Sequence, residues 1–282
     1  MSQTIFGKKF VKKLPYIDNR GIVIQHSGNR MYSRFDNLNA FQHWYLNLKP
    51  TQRLFAKIIG SGPQKFRLDL DGDISDPHIL IQDVQNFFHI MGHGTPQILF
   101  YNISSSEKIS YHLIVSSHYF SDNISCKIFT NSLIQYSQNS PWTLCVDTGV
   151  CKSVQGFRLE GSTKWQQKRW KYLFGTQQIN PKSFPDSLLG NINTQTMRHI
   201  SIPQSQLHQY FISHPPLPKP SSNTPPSSIP AGFKVRQILD SGLVTLNRIK
   251  PTYCGLCERI HEHENAYMIG DKFVCFRYAS TN

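Results

Sequence analysis

Phe66-Arg67-Leu68-Asp69-Leu70-Asp71-Gly72-Asp73, or FRLDLDGD, puts three acids into eight residues of a chain with 17 Asp plus Glu against 30 Lys plus Arg. Successive side chains of a strand point to opposite faces. Read as a strand, Phe66, Leu68 and Leu70 therefore share one face. Arg67, Asp69, Asp71 and, if the strand runs that far, Asp73 share the other. Like charges side by side repel, so a cation between them is the expected relief. Two carboxylates two residues apart, just before a glycine, suit hard divalent ions such as Mg²⁺ or Mn²⁺. A solvated acidic turn is the alternative. An EF-hand loop matches poorly, because its glycine and glutamate positions hold Ile74 and Leu80.

Working outward, LFAKII (54–59), GSGPQ and KFRLDLDG read as a hairpin. SDPH opens a helix, with Ser75 or Asp76 as cap and Pro77 in the first turn. Leu80, Val84, Phe87, Phe88 and Met91 keep helical spacing, and GHGT (92–95) ends the run. QILFYNI and KISYHLIV read as a second strand pair, and DNISCKIFTNSLIQYSQ as another helix capped near Asp122 or Ser125. WTLCVDTGV and GFRLEG read as two further strands. Strands mixed with helices and hairpins predict an α+β domain with an antiparallel or mixed sheet.

The 282 residues suffice for one large domain or two modest ones, and 39% hydrophobic content with 12% aromatics predicts a folded chain. From His214 to Pro230 the sequence is HPPLPKPSSNTPPSSIP, which holds seven of the 17 prolines. Such a stretch reads as an extended linker. It separates residues 1–213 from a short module at 231–282. The net charge of +13 favours a polyanionic partner, nucleic acid or an acidic membrane surface. No apolar run approaches the roughly 18 residues of a membrane helix. MSQTIFGKKFVKKLPY has no apolar secretory core. Lys8, Lys9, Lys12 and Lys13 read as a frayed basic end or a nuclear address. Cys254, Cys257 and Cys275 crowd beside His261 and His263, which in a reducing compartment reads as a metal site and not a disulfide frame.

Two further stretches carry polar chemistry. In KISYHLIV, Lys108, Ser110 and His112 alternate with Ile109, Tyr111 and Leu113, so three phosphate donors fall on one face if Leu113 points inward. In CVDTGVCKSVQGFRLEGSTKW, Asp147 precedes Gly149, Arg158 lies in the next strand and Lys164 follows. A third carboxylate with two cations fits a site for metal and triphosphate together. Each piece alone also reads as a surface turn or charge. KWQQKRWKYLF (164–174) interleaves cations with aromatics, as a single-strand groove would. The other reading is an amphipathic helix packing Trp165, Trp170 and Phe174 on the core.

The order D-x-D, S-x-H, D, then R and K resembles the catalytic motifs of the archaeo-eukaryotic primase superfamily. It is most similar to primase-polymerases and to the primase subunit of the herpesvirus helicase-primase. The match runs from about Leu54 to Lys164, and the first 50 residues and residues 165–212 carry no assignment. The resemblance implies an RRM-like catalytic core flanked by helices. It implies metal-ligand roles for Asp69, Asp71 and Asp147 with Mg²⁺ or Mn²⁺. It implies triphosphate contacts for Lys108, Ser110, His112, Arg158 and Lys164.

The tail, YCGLCERIHEHENAYMIGDKFVCFRY, is similar to the zinc module of such primases, with Arg259, His261, Glu264 and Asn265 in the matching flavour. Cys254, Cys257, His261 and Cys275 are the implied Zn²⁺ ligands, and His263 could replace His261. The resemblance implies primer synthesis on single-stranded DNA from nucleoside triphosphates at an intracellular replication site, nuclear or cytoplasmic, of a virus or mobile element. It implies no membrane partner. No phosphate-binding G-x-x-x-x-G-K-[ST] loop is present, so a helicase is expected as a separate chain. Alternatives are a translesion or repair polymerase of the same superfamily and a non-catalytic single-strand-binding replication factor. A rolling-circle nuclease using the His-x-His of 261–263 fits less well than zinc binding.

Overall fold

In the computed structural model the described residues are 2–15, 17, 21–74, 76–213, 229–238, 243–254, 259–261, 266–269 and 272–275. The chain divides into two compact units, Met1–Leu207 and His208–Asn282. The architecture is α+β, with mostly antiparallel sheets and few helices.

The larger unit opens with β1 (Ser2–Ile5), β2 (Lys8–Val11), β3 (Ile22–His26), β4 (Tyr32–Phe35), α1 (Leu38–Leu46) and β5 (Phe55–Ile59). It continues with β6 (Gln64–Asp71), α2 (Pro77–Ile90), β7 (Ile98–Asn102), β8 (Ser110–Phe120) and α3 (Asn123–Tyr136). β9 (Gln155–Arg158), β10 (Tyr172–Leu173) and β11 (Arg198–Ile200) follow, and α4 (Gln204–Ser213) runs across the boundary between the units. One sheet has the order β1-β2-β4-β3-β5-β9. The other runs β10-β7-β8-β11 with β6 also paired to β8, and β11 lies parallel to β8.

The face alternation expected of FRLDLDGD holds. Phe66, Leu68 and Leu70 sink into a core with Leu113, Val115, Phe88 and Phe129 between the β6–β8 sheet and helices α2 and α3. Each such side chain stabilises the fold by roughly 1.5–3 kcal/mol. On the opposite face Tyr101 and Ile114 meet Ile59, Phe157 and Leu189. The Asp76 carboxylate caps α2 by accepting from His78 N–H (2.8 Å), and Gly92 ends it at φ +78°. Asp122 caps α3 by accepting from Ser125 N–H (2.7 Å). Ser75 lies outside the described residues.

Four expectations are corrected. The strands at 54–59 and 64–71 form no hairpin: β5 pairs with β3 and β9, and β6 pairs with β8. Both edges of β5 are taken, so the four-residue loop Gly60–Pro63 carries the chain from one sheet to the other. WTLCVDTGV is no strand but two 3₁₀ turns, Pro141–Cys145 and Thr148–Val150, joined to β6 by the single bridge Leu70–Val146. Pro141 starts the first turn, and the Asp147 carboxylate accepts from Gly149 N–H (2.9 Å) to start the second. Lys164–Phe174 forms no helix. Its chain turns at Gln166 (φ +62°), Trp165 N–H donates to Ser27 Oγ (2.9 Å), and only β10 is regular. Lys8 and Lys9 are not frayed, since β2 pairs with β1 and β4. The first 50 residues, unassigned from sequence, supply four of the six strands of the first sheet.

The smaller unit holds β12 (Phe233–Ile238), β13 (Leu243–Arg248), β14 (Thr252–Cys254), β15 (Arg259–His261), β16 (Ala266–Ile269) and β17 (Lys272–Cys275). β12-β13-β16-β17 form an antiparallel sheet over Phe233, Val244, Leu246, Ala266 and Met268, and β14 pairs with β15. Cys254, His261 and Cys275 are the last residues of β14, β15 and β17. Cys257, His263, Glu264, Asn265 and residues 214–228 lie outside the described residues. Among the described residues no helix is long and apolar enough to cross a membrane.

Candidate active site

The antiparallel register of β6 and β8 sets Asp69 opposite His112 and Asp71 opposite Ser110. Directly opposed residues share a face of the sheet, so the D-x-D and S-x-H stretches meet on the face away from α2 and α3. Asp147 reaches the same place from the turn after α3. Its backbone N–H donates to Asp69 C=O (2.8 Å). Arg158 ends β9, which pairs with β5. Asp69, Asp71, Lys108, Ser110, His112, Asp147, Arg158 and Lys164 all line one cleft of about 160 Å³. All eight residues singled out from the sequence for one site are thus brought together.

Phe157 forms the floor, as the inward residue of β9. The His112 ring stacks on it at 4.9 Å, and Arg67 and Lys171 lie against it with their charged ends 4.8 and 3.6 Å from the ring centre. Lys171 is wholly buried, donates to Arg158 C=O (3.0 Å) and also sits 4.4 Å from the centre of the Tyr101 ring. Glu160, likewise buried, accepts from Tyr101 O–H (3.3 Å). Arg169 lines the cleft beside Lys164, and its carbonyl accepts from Arg158 Nη1 (2.9 Å). Arg169 and Lys171 lie in the cation–aromatic stretch 164–174, so the sequence carried a signal for them. Phe157 and Glu160 carried none, because each reads as an ordinary strand residue.

Charge and burial shape the site. Burial raises the Asp69 carboxyl above its ordinary range, against the pull of Arg67 and Lys171, and Asp147 and Asp71 add to the rise. Asp69 Oδ1 is buried with no hydrogen-bond partner, 3.8 Å from Arg67 Nε. Asp71 behaves otherwise. Burial pushes it up, but hydrogen bonds from Lys108 (Nζ–Oδ2, 2.6 Å) and Ser110 outweigh that and hold it below its usual value. Burial, then the charges of Lys171, Arg158, Arg67 and Lys164, press His112 well below its usual value, so the imidazole is neutral. Its Nε2 lies 3.7 Å from Asp69 Oδ2, and its buried Nδ1 has no partner. Burial and Arg169 lower Arg158 to about 10, which leaves it charged at neutral pH.

The donor set suits a hard cation. It consists of carboxylate oxygens, and the orphaned Asp69 Oδ1 is a buried acceptor that a cation would satisfy. As placed, no group of three Asp, Glu, His or Cys side chains among the described residues converges on one ion position. Asp71 is instead held by Lys108, and Asp147 by Gly149 N–H.

No family model matches the chain. Over 88% of its length it is 22% identical to an African swine fever virus (isolate Pig/Kenya/KEN-50/1950) protein described as "Putative helicase/primase complex protein". The chain spans 26% of the length of that relative.

Proposed function

We propose that residues 1–213 form a primase-type catalytic domain that makes short primers on single-stranded DNA from nucleoside triphosphates. The observation that carries this is one cleft holding Asp69, Asp71 and Asp147 together with Lys108, Arg158, Lys164 and Arg169. Carboxylates and cations would cancel one another unless each had its own ligand, a divalent ion for the acids and a polyphosphate for the bases. Asp69, Asp71 and Asp147 would hold Mg²⁺ or Mn²⁺, which when bound makes the attacking 3′-hydroxyl more acidic and neutralises charge on the triphosphate.

The protein's own groups do the rest. Lys108, which here bonds Asp71, would donate to a phosphate oxygen if a cation took its place on that carboxylate. Arg158, Lys164 and Arg169 draw in the triphosphate and stabilise the negative charge on departing pyrophosphate. Ser110 donates to a phosphate oxygen or steadies His112. The neutral imidazole of His112, clamped on Phe157, offers one N–H to the triphosphate without adding charge. The 3′-hydroxyl loses its proton to solvent, its oxygen bonds to the α-phosphorus, the α–β phosphoanhydride breaks, and pyrophosphate leaves.

In the same reading, residues 214–230 are a linker and 231–282 a zinc module. The donor set of Cys254, Cys257, His261 and Cys275, with His263 as the substitute for His261, has the composition of a structural Zn²⁺ site. A helicase on a separate chain is the proposed partner, in keeping with the name of the viral relative. The setting proposed is viral or mobile-element DNA replication inside the cell.

The test is synthesis of labelled primers on single-stranded DNA, with Mg²⁺ and with Mn²⁺. Wild type is expected to make primers de novo, and the double substitution Asp69→Ala/Asp71→Ala to make none. Unchanged incorporation by the double variant would refute the reading.

A further inference from the structure

A second basic cavity lies at the other end of β6, where the Gly60–Pro63 loop joins β5 to it. It measures about 310 Å³ and is lined by Gly21, Lys57, Gly60, Ser61, Gly62, Pro63 and Gly190 among others. Lys57 is only 6% exposed and donates no hydrogen bond to any described residue. Its ammonium lies against the Gly190 wall, where an added Cβ would sit 3.1 Å from Nζ. Lys65, also buried, adds a like charge, although its own ammonium is satisfied by Asp186 C=O (2.9 Å).

A charge held at so little exposed a strand position, with no hydrogen-bond partner among the described residues, is costly, and leucine or isoleucine would fill the position more stably. An anion entering the cavity would give Lys57 a counter-charge that no described residue supplies. The absence of a Cβ at Gly190 leaves the Lys57 ammonium open to such a ligand. The cavity meets a second one, of about 520 Å³, that shares Pro63 and Gly190. That neighbour is lined by Ser121, Asn191, Thr194 and the ring pair Tyr119–His199, whose centres lie 5.1 Å apart. Hydroxyls, an amide and aromatic faces suit a sugar and a base.

We propose that Lys57 and the Gly60–Pro63 loop form a phosphate-binding subsite for one nucleotide unit, distinct from the aspartate cleft. The phosphate is that of a free nucleotide or of a strand backbone. The subsite does not depend on the catalytic reading, since none of its residues belongs to that cleft. Burial together with Lys65 lowers Lys57 to about 7, so the empty site is partly uncharged at neutral pH and takes up a proton as phosphate binds.

Two substitutions test this in the full chain. Lys57→Met removes the charge while keeping the length, and Gly190→Ala keeps the charge but fills the space beside it. Both are made in a Lys164→Ala background, which weakens phosphate binding in the aspartate cleft. Calorimetric titration with inorganic phosphate, without divalent ions, is expected to show binding in the background protein. Each added substitution is expected to weaken it roughly tenfold or more. Adenosine monophosphate and a short oligothymidylate form two further arms, and the tighter binder identifies the source of the phosphate. Phosphate affinity unchanged by both Lys57→Met and Gly190→Ala, with folding intact by circular dichroism, would overturn the proposal.

Discussion

The two ends of β6 bury cations in opposite ways. At the Asp69–Asp71 end, Arg67, Lys108, Arg158, Lys164, Arg169 and Lys171 surround carboxylates, and two pairs touch, Arg67 with Asp69 and Lys108 with Asp71. At the Gln64 end, Lys57 and Lys65 lie close with no carboxylate side chain bonded to either among the described residues. Mixed charge matches a ligand that is itself mixed, a divalent ion with polyphosphate, whereas two ammoniums, with only the Asp186 carboxylate acting on Lys65, leave a surplus of positive charge that matches an anion. One strand thus separates two charge environments by what surrounds its ends.

The comparison is broken most easily at Phe157, which floors the cleft and stands opposite Lys57 in the β5–β9 register. Phe157→Ala removes a buried ring and the surface on which His112, Arg67 and Lys171 rest. A loss of roughly 3–5 kcal/mol is expected in urea unfolding. A loss below about 1 kcal/mol would mean that the ring is not the common support of both ends.

The Lys57 end is expected to mark the pH dependence of stability. Lys57 falls from 10.5 to about 7, and Lys65 from 10.5 to about 8. Between those values the unfolded chain binds more protons than the folded one, so stability rises with pH from about 7 to about 10.5. Below that window both states are protonated and the buried charge costs most. The expected gain is on the order of a few kcal/mol, measured as unfolding free energy between pH 6.5 and 10. Lys57→Met should flatten much of this slope and stabilise the protein at pH 6.5. A profile identical to wild type would place Lys57 in water and end the contrast.

Smaller effects sharpen the aspartate side. Lys164→Ala is expected to raise the KM for nucleoside triphosphate by roughly tenfold, the worth of one charged hydrogen bond. Trp165 is half exposed and near His26, with ring centres 6.4 Å apart. If unpaired bases stack on it, Trp165→Ala weakens oligonucleotide binding by about 1–3 kcal/mol in fluorescence anisotropy. No change would confine Trp165 to its contact with the β3–β4 turn.

The aspartate cleft was largely legible in the sequence because its chemistry rests on alternation. Asp69, Asp71, Ser110 and His112 sit at every second position of two strands, and strand geometry alone assigns their faces. Asp147 was legible as a residue but not as part of a turn, since WTLC looks like a strand until Pro141 and the burial of Trp142 are considered. Phe157 and Glu160 were not legible as site residues, because what places them is the packing of one sheet on the other. The missing hairpin has the same cause. Gly60–Pro63 is a good local turn, but strand partners are chosen by the whole sheet, and β3 and β9 had taken both edges of β5. Lys57 was hidden for a related reason: within LFAKII it reads as the solvent-facing residue of a half-buried strand.

The central claim is that Asp69, Asp71 and Asp147 act as one cation site. Titration of Mn²⁺ followed by electron paramagnetic resonance tests it without requiring turnover. Wild type is expected to bind Mn²⁺, and both Asp69→Ala/Asp71→Ala and Asp147→Ala to lose most of that binding while remaining folded. Wild-type Mn²⁺ affinity in folded Asp147→Ala would contradict a site shared by the three carboxylates.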